Sequence, residues 1–274
     1  MKKILVPTDF SEQAENALNV AVQLCKKYDA ELHVVHYFEM QQHLALGGQD
    51  GNLPESIYYM KLAEKRIADI ESNPIIQDVP YHAGVEVETV YEGINKTIER
   101  NNIDMVVIGS HGASGFKEMF IGSNTEKVVR SVDVPVLVIK EKQDVFTAEN
   151  FVYATDFTDE NIKAFQFALS FAKDIDATIH LLYVNTPSKF KTSIEIESRI
   201  ADFLKNYDIP KHTITIYNDR SIESGILNFA KKINADLIGM ATHGRKGLSH
   251  FLNGSISEDL VNHSRKPVVT FKIK

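Results

Sequence analysis

The stretch IDMVVIGSHGASGFKEMFIGS, residues 103–123, decides the fold because it occurs a second time as ADLIGMATHGRKGLSHFLNGS, residues 235–255. In this alignment Gly112 matches Gly244, 132 residues later. In each copy an apolar run precedes two widely spaced glycines, a pattern typical of a buried strand followed by a loop and a helix. The repeat predicts a chain built from two copies of one structural unit.

The N-terminal residues repeat as well, with a different spacing. KKILVPTDFSEQAENAL, residues 2–18, returns as ENFVYATDFTDENIKAF, residues 149–165, which is 147 residues later. The difference between 147 and 132 places 15 extra residues in the first copy, and we assign them to a longer loop near residues 40–53. A polar stretch separates the copies, so we predict two domains, residues 1–143 and 148–274.

Short apolar runs alternate with helical patterns in both copies. Ser11 is the expected N-cap of the first helix, and further helices are expected near residues 55–70 and 94–101. The predicted strands of the first copy are ILVP, LHVVHYF, residues 85–91, MVVIG and PVLVIK, and those of the second are FVYA, IHLLYV, TITIY, LIGMA and PVVTFK. This alternation predicts an α/β fold in which each domain has a five-stranded parallel sheet with helices on both faces.

Composition excludes several classes of protein. The 274 residues carry a formal net charge of −7, which argues against nucleic-acid and membrane-surface binding. The one cysteine, Cys25, lies on the apolar face of a helix and is expected in the core, so no disulfide framework exists. The N-terminus does not resemble a signal peptide, and no apolar run has the length of a membrane span. We therefore expect a cytoplasmic protein.

Two segments follow strands whose carboxyl ends should lie together at the ligand-binding edge of the sheet. The first is Pro7-Thr8-Asp9, and the second is the pattern Gly109-x2-Gly112-x9-Gly122-Ser123. Glycines allow an anion to approach backbone N–H groups, and a helix N-terminus adds further donors. A carboxylate such as that of Asp9 accepts hydrogen bonds from a ribose or an adenine amino group.

The glycine spacing, the flanking VVIGSHG and the opening ILVPTDFSE together resemble the ATP-binding signature of the universal stress proteins, over nearly the whole chain and twice. The resemblance implies two Rossmann-like domains of the adenine-nucleotide-hydrolase type. It implies ATP as the ligand, accompanied by Mg, with ADP and AMP left open. The residues it assigns in the first copy are Pro7, Thr8, Asp9, Tyr37, Gly109, Gly112, Gly122, Ser123 and Asn124.

The second copy has matching positions with two departures. Ala241 replaces the first glycine, and Ala154 replaces Pro7, so we expect the second site to be the weaker. The matching residues are Ala154, Thr155, Asp156, Val184, Ala241, Gly244, Gly254, Ser255 and Ile256.

Other interpretations stay open at this stage. The glycines could serve tight turns only, and Asp9 could be a local acceptor at a helix start. Most of the histidines are interpreted as incidental, and no metal-ligand spacing is found. His111 recurs as His243 inside the loop, which backbone geometry or phosphate proximity explains as well as catalysis does. No nucleophile–base pair is evident, so we predict no catalytic residues and favour an ATP-binding stress-response protein that regulates or binds an unidentified protein partner. The alternatives are a slow ATP-hydrolysing or phosphate-transferring enzyme and a nucleotide-independent scaffold.

The fifth strand of each copy is apolar and would be exposed at a sheet edge. The resemblance implies that this strand mediates dimer formation. The tandem is therefore expected to form an intramolecular pseudo-dimer, with a homodimer as a further option.

Overall fold

The computed structural model describes residues 1–39, 53–111, 122–243 and 254–273. The chain forms two compact units, Met1–Val128 with Val138–Phe146 and Val129–Leu137 with Thr147–Lys274. The loop expected near residues 40–53 lies almost wholly outside the described residues.

The first copy of the repeat contains five strands and four described helices in alternation. They are β1 Lys3–Pro7, α1 Glu12–Tyr28, β2 Glu31–Tyr37, α2 Leu53–Glu71, β3 Tyr81–Glu86, α3 Val90–Asn101, β4 Met105–Gly109, α4 Ser123–Ser131 and β5 Val136–Ile139. The strand order is β3-β2-β1-β4-β5, and the register shows β1 parallel to both β2 and β4. Strand order therefore reverses at β1, which places the switch point at the carboxyl ends of β1 and β4.

The second copy has the same order of elements. They are β6 Asn150–Ala154, α5 Ile162–Asp174, β7 Thr178–Asn185, α6 Ser193–Leu204, β8 His212–Asn218, α7 Ile222–Lys232, β9 Leu237–His243, α8 Gly254–His263 and β10 Val268–Ile273. Its strand order is β10-β9-β6-β7-β8, and β6 is parallel to β7 and to β9. The α/β class and the parallel sheet predicted from the sequence are confirmed.

Local sequence explains where α1 begins and which face it buries. Ser11 has extended backbone angles and its side chain accepts a hydrogen bond from the amide of Ala14, so the predicted N-cap is confirmed. The face running from Ala14 to Cys25 is buried. Burial raises the pKa of the Cys25 thiol to about 12, as expected for a core residue.

One predicted strand was wrong in position. The third strand was expected at residues 85–91, but β3 ends at Glu86 and α3 begins at Val90. Thr89 is the reason, because its side chain caps α3 by accepting from the amide of Glu92. The apolar Val85 and Val90 thus belong to different elements, and the apolar pattern runs across the boundary.

The second copy has an aromatic core. Phe151, Tyr153, Phe165 and Phe271 are fully buried. The Tyr153 ring lies 6.0 Å from those of Phe165 and Phe271, in tilted and edge-on geometry. Such pairs favour one packing arrangement because the ring edge is positive and its face negative.

None of the described helices is long and apolar enough to cross a membrane.

Candidate functional site

The loop after β1 is held by its own polar atoms. The amide of Thr8 donates to the Val35 carbonyl of β2 (2.9 Å), and the Thr8 hydroxyl accepts from the amide of Phe10 (3.1 Å). Phe10 has a φ of 63°, a left-handed conformation that non-glycine residues rarely adopt. Asp9 Oδ1 accepts from both the amide (3.1 Å) and the hydroxyl (2.6 Å) of Ser11. These bonds fix the position of Asp9 at the end of β1.

His36 supports this loop from β2. Its Nδ1 lies 2.7 Å from the Thr8 carbonyl oxygen, which only accepts, so Nδ1 carries the proton and donates. The imidazole packs on the Phe10 ring with centroids 4.6 Å apart. Burial lowers the pKa of His36, while the Thr8 carbonyl and the Asp9 charge favour the protonated form and oppose this effect. His36 therefore positions the Asp9 loop, a role that the sequence analysis did not assign.

Tyr37, the last residue of β2, packs beneath α3. Its hydroxyl donates to Thr97 (2.9 Å), and burial raises the pKa of Tyr37. A Cβ on Gly93 would lie 2.2 Å from this ring, so any larger residue there must displace the ring. In the second copy a Cβ on Gly225 would lie 2.5 Å from Val184 in the same way. The glycines 93 and 225, which keep the 132-residue spacing, are thus explained by packing.

The carboxyl end of β4 is joined to the start of α4. The amide of Gly122 donates to the Ser110 carbonyl (2.8 Å), and the Thr125 hydroxyl donates to the Gly109 carbonyl (2.8 Å). These two bonds bring the first turn of α4 next to the Asp9 loop. An α-helix leaves the N–H groups of its first turn without intrahelical partners, so this turn offers donors and a partial positive charge.

Gly109 is required by the packing of α1. A Cβ at this position would lie 2.7 Å from both the carbonyl carbon and oxygen of Gln13. Ala241, the counterpart of Gly109 in the second copy, was expected to weaken the second site. The contact at Gly109 is with α1, and in the second copy a 3-10 turn, Asp159–Asn161, precedes the helix at the corresponding place.

The predicted residues of the first copy come together in one cleft of about 140 Å³. Gly112 lies outside the described residues. Of the predicted residues, those that line the cleft are Pro7, Thr8, Asp9, Tyr37, Gly109, Gly122, Ser123 and Asn124. The cleft also has lining residues that the sequence analysis missed, namely Ala14, His36, Val90, Ile108, His111 and Thr125. Thr125 directly follows the predicted Asn124, which is the signal that could have found it, whereas Ala14 lies five residues after Asp9.

His111 lines this cleft next to Ser110, whose carbonyl accepts from the amide of Gly122 before α4. Its Nδ1 lies 2.8 Å from the Ser110 hydroxyl, and Nε2 is buried without a hydrogen-bond partner. Burial lowers the pKa of His111, and the positive charge of Lys140 lowers it further. A neutral imidazole with one unsatisfied nitrogen is thus held in the cleft wall. Within the described parts of the chain, no three His, Cys, Asp or Glu side chains form a group suited to a metal ion.

The second copy forms a smaller cavity of about 30 Å³ at the corresponding edge. Of the predicted residues, Ala154, Thr155, Asp156 and Val184 line it, together with apolar side chains such as Ile222, Ile226 and Met240. Ala241 is buried in β9. Gly254 begins α8, which also contains Ser255 and Ile256, and Gly244 lies outside the described residues.

Comparison with known proteins supplies the family. The model of the universal stress protein family matches residues 1–140 and again residues 147–272. The chain belongs to this family. A universal stress protein of Methanocaldococcus jannaschii is 34% identical over 158 residues, which are 52% of this chain and 96% of that protein.

Two relatives match this member of the family along its whole length. A universal stress protein of Synechocystis is 22% identical over 99% of this chain and 100% of its own length. The crystal structure of a universal stress protein from Archaeoglobus fulgidus has a TM-score of 0.76 at 22% identity, covering 99% of this chain and 98% of that one. Both matches therefore extend over the two copies of the repeat.

Proposed function

We propose that the first unit of this universal stress protein binds an adenine nucleotide, with ATP and Mg as the favoured ligand, and that occupancy regulates binding of a protein partner during stress. The observation that supports this most directly is the bond from Gly122 to Ser110, which brings the first turn of α4 into the cleft that Asp9 also lines. One end of the cleft thus suits an anion, and the other suits a nucleoside.

The α4 end of the cleft fits a phosphate chain. Ser123 and Asn124 are exposed at the first turn of α4, where backbone amides and polar side chains can donate to phosphate oxygens. The amide of Gly122 is already used by Ser110, so the donors in this proposal are those of the residues that follow. His111 Nε2, buried and without a partner, is a further atom that a bound phosphate would satisfy.

The β1 end fits a nucleoside. Asp9 is half-buried and held by Ser11, which fixes its carboxylate at the cleft. Val90 and Ile108 contribute apolar walls for a base, and Tyr37 is fixed beside them by its bond to Thr97. These contacts are common to ATP, ADP and AMP, so the three are separated only by affinity measurements.

Hydrolysis of the bound ATP is the second candidate, favoured by the Ser110–His111 pair beside α4. Ser110 is only 1% exposed, so it cannot serve as a nucleophile without rearrangement. A binding role is therefore preferred. Cytoplasmic location and association of the two copies as a pseudo-dimer, with or without a homodimer, belong to the same proposal.

The test is isothermal titration calorimetry with Mg-ATP and with adenosine. Ser123→Glu places a carboxylate at the first residue of α4, where it favours the helix but repels a phosphate, at a cost of about 1–4 kcal/mol. We expect affinity for Mg-ATP to fall about tenfold or more and affinity for adenosine to change little. Ser193→Glu, at the first residue of α6, is the matched control and should bind as wild type does.

Failure of wild type to bind any adenine nucleotide would refute the proposal, and so would equal Mg-ATP affinity of Ser123→Glu and wild type. Measurement of released phosphate in the same samples separates binding from turnover. Turnover that survives removal of contaminating enzymes would favour the second candidate.

A further inference from the structure

The loops after β1 and β6 have the same backbone hydrogen bonds. Thr155 accepts from the amide of Phe157 (3.2 Å), as Thr8 accepts from that of Phe10, and Phe157 has a φ of 53°. The amide of Thr155 donates to the Leu182 carbonyl of β7 (3.0 Å), as that of Thr8 does to β2. The second copy has therefore kept the loop geometry of the first.

The carboxylates at the centre of these loops have different surroundings. Asp156 Oδ1 accepts from the amide (3.2 Å) and hydroxyl (2.8 Å) of Thr158 and also from Asn161 Nδ2 (2.5 Å). Asn161 is 3% exposed and Asp156 is 8% exposed. In the first copy the position 147 residues before Asn161 is Ala14, which has no polar side-chain atom and lines the cleft.

The start of the helix explains how Asn161 reaches the carboxylate. In the first copy α1 begins at Glu12, with Ser11 as its cap. In the second copy the 3-10 turn Asp159–Asn161 comes first, and Thr158 makes no side-chain cap bond, although its hydroxyl donates to Asp156 as that of Ser11 donates to Asp9. Asn161 Nδ2 also donates to the Thr158 hydroxyl (3.1 Å), while Asn161 Oδ1 is buried without a hydrogen-bond partner.

This network competes with a ligand. A nucleoside hydroxyl or amine that binds Asp156 Oδ1 must displace Asn161 or share a crowded oxygen, and hydrogen bonds to a charged group are among the stronger ones in proteins. Asn161 does not line the second-copy cavity itself and acts through Asp156, which does. The cavity, about 30 Å³, holds one or two water molecules rather than a base. The cavity walls are mainly apolar and do not compensate.

We propose that the chain binds one nucleotide, in the first copy, and that Asn161 is the residue that closes the second site. The proposal rests on the nucleotide function proposed above. It assigns the difference between the two sites to the Ala14/Asn161 position rather than to Ala241. The counterpart of Ala241 in the first copy is Gly109, which is small because α1 packs against it.

The experiment is a reciprocal exchange in the full chain, read by calorimetric titration with Mg-ATP. Wild type should bind one equivalent. Asn161→Ala should add a second equivalent, with affinity raised roughly 10- to 100-fold over the wild-type second site. Ala14→Asn should weaken the first site by a similar factor. Asn206→Ala, an exposed asparagine after α6, is the control and should leave one equivalent.

Photolabelling with 8-azido-ATP followed by peptide mass spectrometry locates each equivalent. Label in the first copy of wild type and in both copies of Asn161→Ala supports the inference. Because Ala14 is buried, the folding of Ala14→Asn is checked by circular dichroism. If that variant unfolds, the binding result for Asn161→Ala alone tests the inference.

Two equivalents of similar affinity in wild type would overturn the inference while leaving the nucleotide function intact. One equivalent in Asn161→Ala would also overturn it, as would unchanged binding by folded Ala14→Asn. Absence of binding in both wild type and Asn161→Ala would instead refute the nucleotide function itself.

Discussion

Gly109 and Gln13 are in van der Waals contact so close that a Cβ on Gly109 would lie 2.7 Å from the Gln13 carbonyl. This contact lets the first turn of α1 approach the end of β4, and with it the Asp9 loop approaches α4. The distance between the two halves of the cleft therefore depends on the absence of one methyl group.

Gly109→Ala is expected to destabilise the first unit by about 1–3 kcal/mol, because the methyl group meets a rigid backbone rather than a movable side chain. Urea denaturation measures the loss. Gly84→Ala is the control, since a Cβ at Gly84 has no atom within 4 Å, and it should leave stability equal or slightly higher. Equal stabilities of the two variants would contradict the packing explanation.

Gly93→Ala is expected to displace the Tyr37 ring and break its 2.9 Å bond to Thr97. The helix gains up to about 1 kcal/mol from alanine, so the predicted net loss is about 1–2 kcal/mol. The measurement is a double-mutant cycle with Tyr37→Ala, in which Gly93→Ala should cost less once the ring is removed. Additive effects of the two substitutions would show that the ring is not the obstacle.

Tyr153→Phe is expected to stabilise the second unit by about 1 kcal/mol. The Tyr153 hydroxyl is buried without a hydrogen-bond partner, so the folded state carries its desolvation cost without compensation. Thermal and urea denaturation test this. Tyr37→Phe is the contrasting variant, because it removes a hydroxyl that donates to Thr97, and it should lower stability. A loss of stability in Tyr153→Phe would indicate a partner for that hydroxyl.

Stability should fall as the pH drops from 7.5 to 5.5. Burial lowers the pKa of His180 in the folded state, so the unfolded chain binds more protons once the pH approaches the ordinary histidine value of about 6.5. The contribution of neutral His180 is present above that pH and is lost as pH falls through the folded pKa. Urea denaturation at both pH values should show a smaller drop for His180→Gln than for wild type.

Thr213→Val is the control for this pH effect. It removes the hydroxyl 2.8 Å from His180 Nδ1 but leaves the titrating group in place. It should lower stability at both pH values and retain the dependence on pH. If His180→Gln shows the full wild-type drop, other groups are responsible.

Much of the fold could be predicted because apolar runs and cap residues act locally. MVVIG was predicted as a strand and is β4, and Ser11 was predicted as the N-cap of α1. The third strand was misplaced because Val85 and Val90 form one apolar pattern, and only the cap bond of Thr89 separates β3 from α3. His36 was interpreted as incidental. Its bond to Thr8 joins residues 28 positions apart, and such a contact leaves no local pattern in the sequence.

The sequence by itself determined the duplication, the α/β class, the family and the loops that approach one another at the sheet edge. These follow from residue spacing, which a linear chain displays directly. Only the tertiary structure decided that Gly109 is small because α1 packs against it and that Gly93 is small because the Tyr37 ring does. It also decided that the Asn161 side chain donates a hydrogen bond to the carboxylate of Asp156. Those relationships are distances between side chains and backbone brought together by packing, and a difference of one methyl or one amide group has no periodic signal in the sequence.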